Sequence, residues 1–216
     1  MGRSYWDKTR DGILMIGVVV GTFGSKEWSD RGRATEQTLK DQTAPCRSVH
    51  SHCNMDSLME ARNGGARYLI DTFDVEWLCF LDADDLLDPL YVEKMQEKIK
   101  SLDNGDFLIQ PSSALVVEGV QVEEAHLIPR QEILSQNWMV IGTLVKASTF
   151  TKVGGFADWP IYEDWDLWIR CHRAGAGFAT QPEAVYLITR SENSRNSQDR
   201  DIQVKYFNEI RKQYIL

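Results

Sequence analysis

The sequence predicts an α/β protein built around one layered sheet. Two apolar runs, at residues 13–20 and 76–81, are typical of strands buried on both faces. Segments with helical spacing of apolar residues follow them, and alternating strands and helices favour a sheet covered by helices. The 216 residues suit one domain, and no repeat or long linker divides them.

Shorter patterns predict the remaining elements. Further strands are predicted at residues 47–50, 107–109, 114–117, 139–146 and 183–188. Helices are predicted at residues 31–41, 66–73, 90–102 and 162–170, and in the tail after residue 199. Ser57 and Glu60 form a capping box that starts a helix. We expect Asn63, Gly64 and Gly65 to interrupt that helix, because successive glycines cost helix stability.

Composition excludes several classes of protein. The chain has 24 Lys and Arg against 32 Asp and Glu, a net charge of −8, which disfavours nucleic acid and anionic membranes as partners. The four cysteines are scattered without a C-x-x-C pair, as expected for reduced thiols of a cytoplasmic protein. The apolar run at residues 13–20 is shorter than the roughly 20 residues that cross a bilayer, and we expect no membrane span or signal peptide.

An acidic cluster follows the second buried strand directly. Asp82, Asp84 and Asp85 come at its carboxyl end, where ligands of open α/β sheets bind. Carboxylates there repel one another, and Mg²⁺ or Mn²⁺ held by one or two of them plus ligand phosphates relieves that repulsion. The alternative is an acidic loop in which Asp85 caps the next helix.

Four blocks of the chain match a known set of linked motifs. The blocks are residues 18–24, residues 61–66 (ARNGGA), residues 77–89 (WLCFLDADDLLDP), and residues 153–156 with 162–168 (VGGF and YEDWDLW). Together they resemble the glycosyltransferases of the GT-A fold, in the large inverting family two, whose members carry ARN-x-G, FLDADD-x-L-x-P and GGF … EDWDLW. The resemblance spans about residues 13–190.

The resemblance implies a fold, a domain plan and an activity. The fold is a single-domain GT-A fold, Rossmann-like, with a mostly parallel mixed central sheet flanked by helices. A polar lead-in at residues 1–12 precedes the glycosyltransferase domain at 13–198, and a helical tail follows at 199–216. Residues 13–110 would form the donor half and residues 111–198 the acceptor half. The activity would be inverting transfer of a sugar from a nucleotide-diphosphate sugar to an acceptor hydroxyl on a glycan, protein, lipid or small molecule.

On the donor side, the resemblance assigns Asp84 as the ligand of Mn²⁺ or Mg²⁺, and Asp82 to the ribose or the metal shell. The cation would neutralise the leaving diphosphate. Arg62 would reach the nucleotide or its phosphates, with an exposed Arg in a helix-ending turn as the alternative. Thr22 and Phe23 would border the base, although core packing is an alternative for Phe23.

The chain departs from the family at two donor positions. His50 stands where many members carry an Asp that reads the base, and a structural His is the alternative. Arg190 stands near a late His that some members use for metal or phosphate, and it would bind the diphosphate. Residues 193–196 would then form either a lid over the donor or an ordinary surface loop.

On the acceptor side, the resemblance assigns Asp164 as the general base that takes the proton of the attacking hydroxyl. Glu163 would support Asp164 or bind an acceptor hydroxyl. Trp165 and Thr143 are placed beside the acceptor, and a core position for Trp165 stays open because its spacing also fits a buried helix face. Without the upstream blocks, these acids would be no more than an acidic helix start.

Two rival functions stay open. A sugar nucleotidyltransferase would carry a glycine-rich basic loop after the first strand, and residues 21–26 are poor in that respect. A non-catalytic nucleotide- or glycan-binding module is suggested by the departures at His50 and Arg190. The apolar stripe of the tail predicts packing on the body of the protein, with pairing to a second copy in a homodimer as the alternative.

Overall fold

The computed structural model describes residues 14–54, 57–189 and 200–215, which form one eight-stranded sheet flanked by helices. The strands are β1 (Ile16–Phe23), β2 (Arg47–Cys53), β3 (Trp77–Asp82), β4 (Leu86–Leu87), β5 (Phe107–Val117), β6 (Val120–Gln121), β7 (Leu144–Lys146) and β8 (Gly177–Thr189). The helices are α1 (Lys26–Thr38), α2 (Leu58–Phe73), α3 (Tyr91–Ser101), α4 (Ala147–Lys152), α5 (Glu163–Arg173) and α6 (Arg200–Tyr214), with a 3₁₀ turn at Leu39–Asp41. The predicted α/β class is confirmed.

The sheet is mixed, and its long pairings are parallel. The strand order is β2-β1-β3-β7-β5-β8-β4, and β6 pairs with β5. Strand β1 runs parallel to β2 and β3, and β5 runs parallel to β8, whereas β4, β6 and β7 make short antiparallel pairings. Gly21 lies opposite Asp82, so β1 and β3 end at the same edge of the sheet.

The centre of the sheet is made of the two apolar runs. The side chains of Val18, Val19 and Val20 in β1 are fully buried, as are those of Phe80 and Leu81 in β3. Strands covered on both faces require such uninterrupted apolar sequence. This burial holds the polar ends of β1 and β3 in fixed positions.

Helix α2 is continuous, and the predicted interruption at Asn63, Gly64 and Gly65 is wrong. Tertiary packing explains the difference, because a Cβ atom at Gly65 would lie only 2.6 Å from Cγ1 of Val19 in β1. The glycine lets the helix approach the sheet closely, and this contact offsets its low helix propensity. The predicted cap is present, since the Ser57 hydroxyl accepts from the Glu60 N–H at 3.2 Å.

Several element boundaries differ from those predicted. Helix α1 begins at Lys26, five residues early, because Ser25 caps it. Strand β5 runs through Pro111, and its register against β8 shifts between Pro111 and Ser112, as expected where a residue lacks an N–H donor. Strand β8 begins at Gly177, and only residues 144–146 of the predicted strand at 139–146 are extended.

The tail forms α6 and packs on the body of the protein. The Phe207 ring stacks on Trp165 with 4.7 Å between centroids, and the Tyr214 hydroxyl donates to Oδ1 of Asp166 at 2.5 Å. The alternative role of the tail, pairing with a second copy, stays a prediction. Among the described helices, none combines the length and apolar character needed to cross a membrane.

Candidate active site

A cavity of about 550 Å³ opens at the edge of the sheet where β1 and β3 end. It brings together residues from both predicted halves of the chain: Thr22, Phe23, Arg62, Asp82, Asp84, Glu163 and Asp164. The register of β1 and β3 places the donor-side residues, and the first turn of α5 places Glu163 and Asp164. Seven residues predicted from the sequence to belong to the site therefore line one cavity.

Arg62 links the two acidic segments of this cavity. Its Nη2 donates to Oδ1 of Asp82 at 2.5 Å, and its Nη1 donates to Oε1 of Glu163 at 2.7 Å. The side chain is only 1% exposed, so the alternative of an exposed arginine is wrong. Burial alone would lower the pKa of Arg62, but the carboxylates of Asp82 and Glu163 raise it above its usual value. The guanidinium therefore stays charged and ties β3 to α5.

Asp85 does not cap the following helix. Its carboxylate accepts from the Tyr186 hydroxyl and the Thr189 N–H, both at 2.8 Å. Helix α3 has no side-chain cap, and Asp88 accepts from the N–H of Leu90, the residue just before the helix, at 2.9 Å. Burial and the neighbouring Asp82 carboxylate raise the pKa of Asp85 to about 8. The end of β3 is thus crowded with acidic side chains, and burial beside Asp82 favours the protonated form of Asp85.

This crowding bears on the predicted cation. The described residues contain no group of three or more His, Cys, Asp or Glu arranged to hold a metal ion. Asp82 and Asp84 both line the cavity, and Mg²⁺ is held in many proteins by one or two carboxylates together with substrate phosphates. The residues present fit a cation of this second kind, whose remaining ligands would come from the bound molecule and water.

Asp164 is held by neutral donors. Asn137 Nδ2 lies 3.1 Å from Oδ1 and 3.2 Å from Oδ2 of the carboxylate, and the Trp165 N–H donates to Oδ1 at 2.7 Å. Burial and the adjacent Glu163 carboxylate raise the pKa of Asp164 to about 6, against these hydrogen bonds. Tyr162, with φ of 63°, turns the chain sharply into α5 and sets the direction of its first turn.

His50 lies behind Thr22 rather than in the cavity lining. Thr22 Oγ1 is 2.7 Å from Nε2 of His50 and 3.0 Å from Nδ1 of His52. His50 lines a separate surface pocket of about 500 Å³ with Arg33. Burial and the Arg33 charge lower its pKa. His50 touches the cavity through Thr22, and its role toward a base stays a prediction.

Two residues placed on the acceptor side lie in the core. Trp165 is fully buried, and its Nε1 donates to the Ile133 carbonyl at 2.7 Å. Thr143 is also fully buried. Neither lines the cavity, and the Phe207 ring of α6 covers Trp165. Arg190 and residues 193–196 fall outside the described residues.

The structure adds cavity residues that no sequence motif indicated. Asn137 and Trp28 line the cavity, as does Gln203 of α6. Apolar side chains complete the wall: Met139, Val140, Ile141, Ile161 and Ile188. Trp28 lies about one helical turn after Ser25, the N-cap of α1. The helix predicted at residues 31–41 starts after Trp28, so the sequence pattern did not place Trp28 on a helix beside the end of β1. Asn137 lies in a segment without periodicity, so its sequence carried no comparable signal.

Comparison with known proteins identifies the fold. The chain matches no described protein family and no curated protein sequence. Its fold matches crystal structures of the glycosyltransferase TarS from S. aureus. TarS 1–349 in complex with UDP-GlcNAc is 12% identical, with a TM-score of 0.63 over 93% of this chain and 71% of that one. TarS 1–349 in complex with UDP is 12% identical, with a TM-score of 0.61 over 82% and 61%.

These similarities establish a Rossmann-like, GT-A-like glycosyltransferase fold for the chain. A further TarS structure is 13% identical, with a TM-score of 0.60 over 82% of this chain. The match covers 37% of that TarS chain, so this protein spans a little over a third of its length.

Proposed function

We propose that the protein is an inverting glycosyltransferase that moves a sugar from a nucleotide-diphosphate sugar to an acceptor hydroxyl and uses Mn²⁺ or Mg²⁺. The observation that carries this proposal is a single cavity that contains the acids following β3 and the Asp164 carboxylate of α5. Transfer needs both, a place for the diphosphate and a base for the incoming hydroxyl.

The end of β1 and the end of β3 would bind the donor. Similarity to TarS structures that contain UDP-GlcNAc or UDP supports a nucleotide-sugar donor. Thr22 and Phe23 would border the base, and Asp82 and Asp84 would hold the cation. The cation would neutralise the charge that develops on the leaving diphosphate. Arg62 would act on this half indirectly, by fixing Asp82 through their ion pair.

Asp164 would take the proton from the acceptor hydroxyl. With a pKa of about 6, the carboxylate is ionised at neutral pH and more basic than an ordinary aspartate. The attacking oxygen would approach the anomeric carbon from the side opposite the diphosphate, and this single displacement inverts the configuration. Glu163 accepts a hydrogen bond from Arg62, so it would act by raising the pKa of Asp164, and Asp164 would accept the proton.

The test is a transfer assay with purified protein, a panel of nucleotide-diphosphate sugars, Mn²⁺ or Mg²⁺, and mixed glycan, peptide and small-molecule acceptors. We expect Asp164→Asn to lower transfer by about 10²- to 10⁴-fold, the usual contribution of a general base. Nucleotide binding, measured by thermal shift, should change little.

The matched control is Asp158→Asn, which alters an exposed carboxylate shortly before α5 and should leave transfer intact. NMR of the product reports the anomeric configuration. Full activity in Asp164→Asn would remove this residue from the base position, and a product of retained configuration would exclude the single displacement.

A further inference from the structure

The segment between β6 and β7 is irregular, yet buried side chains hold it firmly. Gln110 of β5, which is 1% exposed, donates from Nε2 to the carbonyls of Ile128 at 3.2 Å and Trp138 at 3.0 Å. Trp165 Nε1 donates to the Ile133 carbonyl at 2.7 Å. The indole of Trp138 is itself buried against Phe178, with 5.2 Å between ring centroids.

These anchors lie on both sides of Asn137. Trp138 follows it directly, and Ile133 precedes it by four residues. Because β5 and α5 both hold the segment, the backbone of Asn137 is fixed relative to the first turn of α5. A side chain carried by such a backbone meets Asp164 with little loss of conformational entropy.

We propose that Asn137 is the positioning residue of the catalytic base, and that its amide fixes the orientation of the Asp164 carboxylate toward the cavity. This inference rests on the proposed function, in which Asp164 accepts the proton of the acceptor hydroxyl. Nδ2 of Asn137 lies within 3.2 Å of both carboxylate oxygens, so rotation of the carboxylate would break a contact on either side.

The carbonyl oxygen of the Asn137 amide indicates that this residue serves the site rather than the stability of the fold. Its Oδ1 is buried and has no hydrogen-bond partner within the described part of the chain. A buried carbonyl without a donor destabilises a folded protein. The contact with Asp164 therefore comes at a cost in stability that an apolar side chain of similar shape would avoid.

The charges around Asp164 make this contact chemically relevant. Burial and the Glu163 charge raise the pKa of Asp164, the Arg62 charge lowers it, and Tyr162 borders it as a neutral phenol. Hydrogen bonds from Asn137 favour the ionised carboxylate and so oppose the effect of Glu163. Among the described residues, loss of the Asn137 amide would leave Asp164 with one hydrogen-bond donor, the Trp165 N–H.

The experiment uses Asn137→Leu, which has nearly the same shape and removes the amide, and Asn137→Ala as a second variant. The control is Gln136→Ala, an exposed neighbour in the same segment. The pKa of the Asp164 carboxyl is measured by ¹³C NMR titration without ligand, and kcat and KM are measured across pH with the donor found in the transfer assay.

We expect both Asn137 variants to raise the pKa of Asp164 by about one unit, equivalent to a tenfold change in its proton affinity. The acid limb of kcat/KM should move to higher pH by the same amount, with kcat lowered at pH 6 and the KM for donor unchanged. Asn137→Leu should unfold at the same temperature as wild type or higher. If Asn137 were needed for the fold, this substitution would lower the unfolding temperature.

An unchanged Asp164 pKa together with an unchanged acid limb would overturn the inference. So would a Gln136→Ala variant with the same shift, because the effect would then belong to the segment as a whole. If the wild-type protein transfers no sugar, the proposed function fails, and the NMR titration alone still decides whether Asn137 holds the carboxylate.

Discussion

Two acidic segments face the same cavity, and they are held in different ways. The carboxyl end of β3 is held by the buried guanidinium of Arg62, which pairs with Asp82. The start of α5 presents Asp164 to neutral donors, the amide of Asn137 and the Trp165 N–H. A cation neutralises the carboxylate that it orients, whereas neutral donors orient a carboxylate and leave its charge available. The second arrangement suits a base.

The charged and the neutral partners act on neighbouring residues of α5, Glu163 and Asp164. Glu163 precedes Asp164 by one residue, yet it pairs with Arg62, the same guanidinium that holds Asp82 at the end of β3. Two adjacent carboxylates of one helix thereby acquire different roles from their partners alone. Sequence by itself presents them as equivalent members of one acidic helix start.

The largest effect is expected when the Arg62 guanidinium is removed. Arg62→Met would leave Asp82 and Glu163 without their shared partner, and we expect a loss of about 3–5 kcal/mol in the free energy of unfolding. Urea unfolding at pH 7.5 measures it. Arg67→Met, an exposed arginine on the same helix, should change stability by less than about 0.5 kcal/mol.

A triple variant sharpens the result. Arg62→Met combined with Asp82→Asn and Glu163→Gln removes the two charges that the single variant strands, and most of the lost stability should return. If the triple variant stays as unstable as Arg62→Met, packing of the arginine stem rather than its charge would account for the loss.

An effect of intermediate size is expected at the Mn²⁺ or Mg²⁺ site proposed at the end of β3. In wild type, Mn²⁺ should strengthen binding of the matching nucleoside diphosphate, measured by calorimetry. Asp84→Ala should abolish that gain and weaken binding by at least about tenfold, the scale on which even outer partners of a metal act. Asp103→Ala, in an exposed loop, is the control. Equal affinities with and without Mn²⁺ in both proteins would contradict the cation site.

The smallest effect expected is a gain in stability. The pKa of Asp164 is about 6 in the folded protein against a usual value of 3.8, so the folded state binds this proton more tightly than the unfolded chain. Its ionisation costs stability as pH rises from about 4 to about 6, and the cost is constant above that. Asp164→Asn should therefore raise the free energy of unfolding at pH 8 by about 1–2 kcal/mol, after allowance for solvent screening.

Urea unfolding of wild type and Asp164→Asn at pH 8, 5 and 4 measures this gain, which should shrink steadily toward pH 4. Asp158→Asn, whose carboxylate is exposed, should show no such trend. A gain that is the same at all three pH values would mean that the asparagine improves packing, and that Asp164 ionises as an ordinary carboxylate.

Much of the cavity was predictable because its residues lie next to strong local patterns. Asp82 and Asp84 follow a short, continuous apolar run, which is typical of a strand buried on both faces. Asp164 sits in an acidic first turn, which a helix favours locally, and this pattern predicted its position, whereas its role came from the resemblance of residues 162–168 to a known motif. Where chemistry directly follows a buried element, locating the element also locates the chemistry.

The rest depended on contacts between distant parts of the chain. Asn137 reaches Asp164 through anchors on β5 and α5, and no periodicity of its own segment marks it. Trp165 has the spacing of a helix face, which does not reveal that α6 covers it. The burial of Arg62 likewise follows from the approach of α2 to the sheet rather than from its neighbours in sequence.

That approach has a consequence for how the protein tolerates change. At Gly64 an added methyl group would meet only Ser51 Oγ, at 3.8 Å, whereas at Gly65 it would press into Val19 at 2.6 Å. Two identical neighbours in the sequence are thus under opposite constraints. A lineage descending from this protein can replace the first glycine and gain helix propensity, but it must keep the second, because α2 carries Arg62 into the site on that contact.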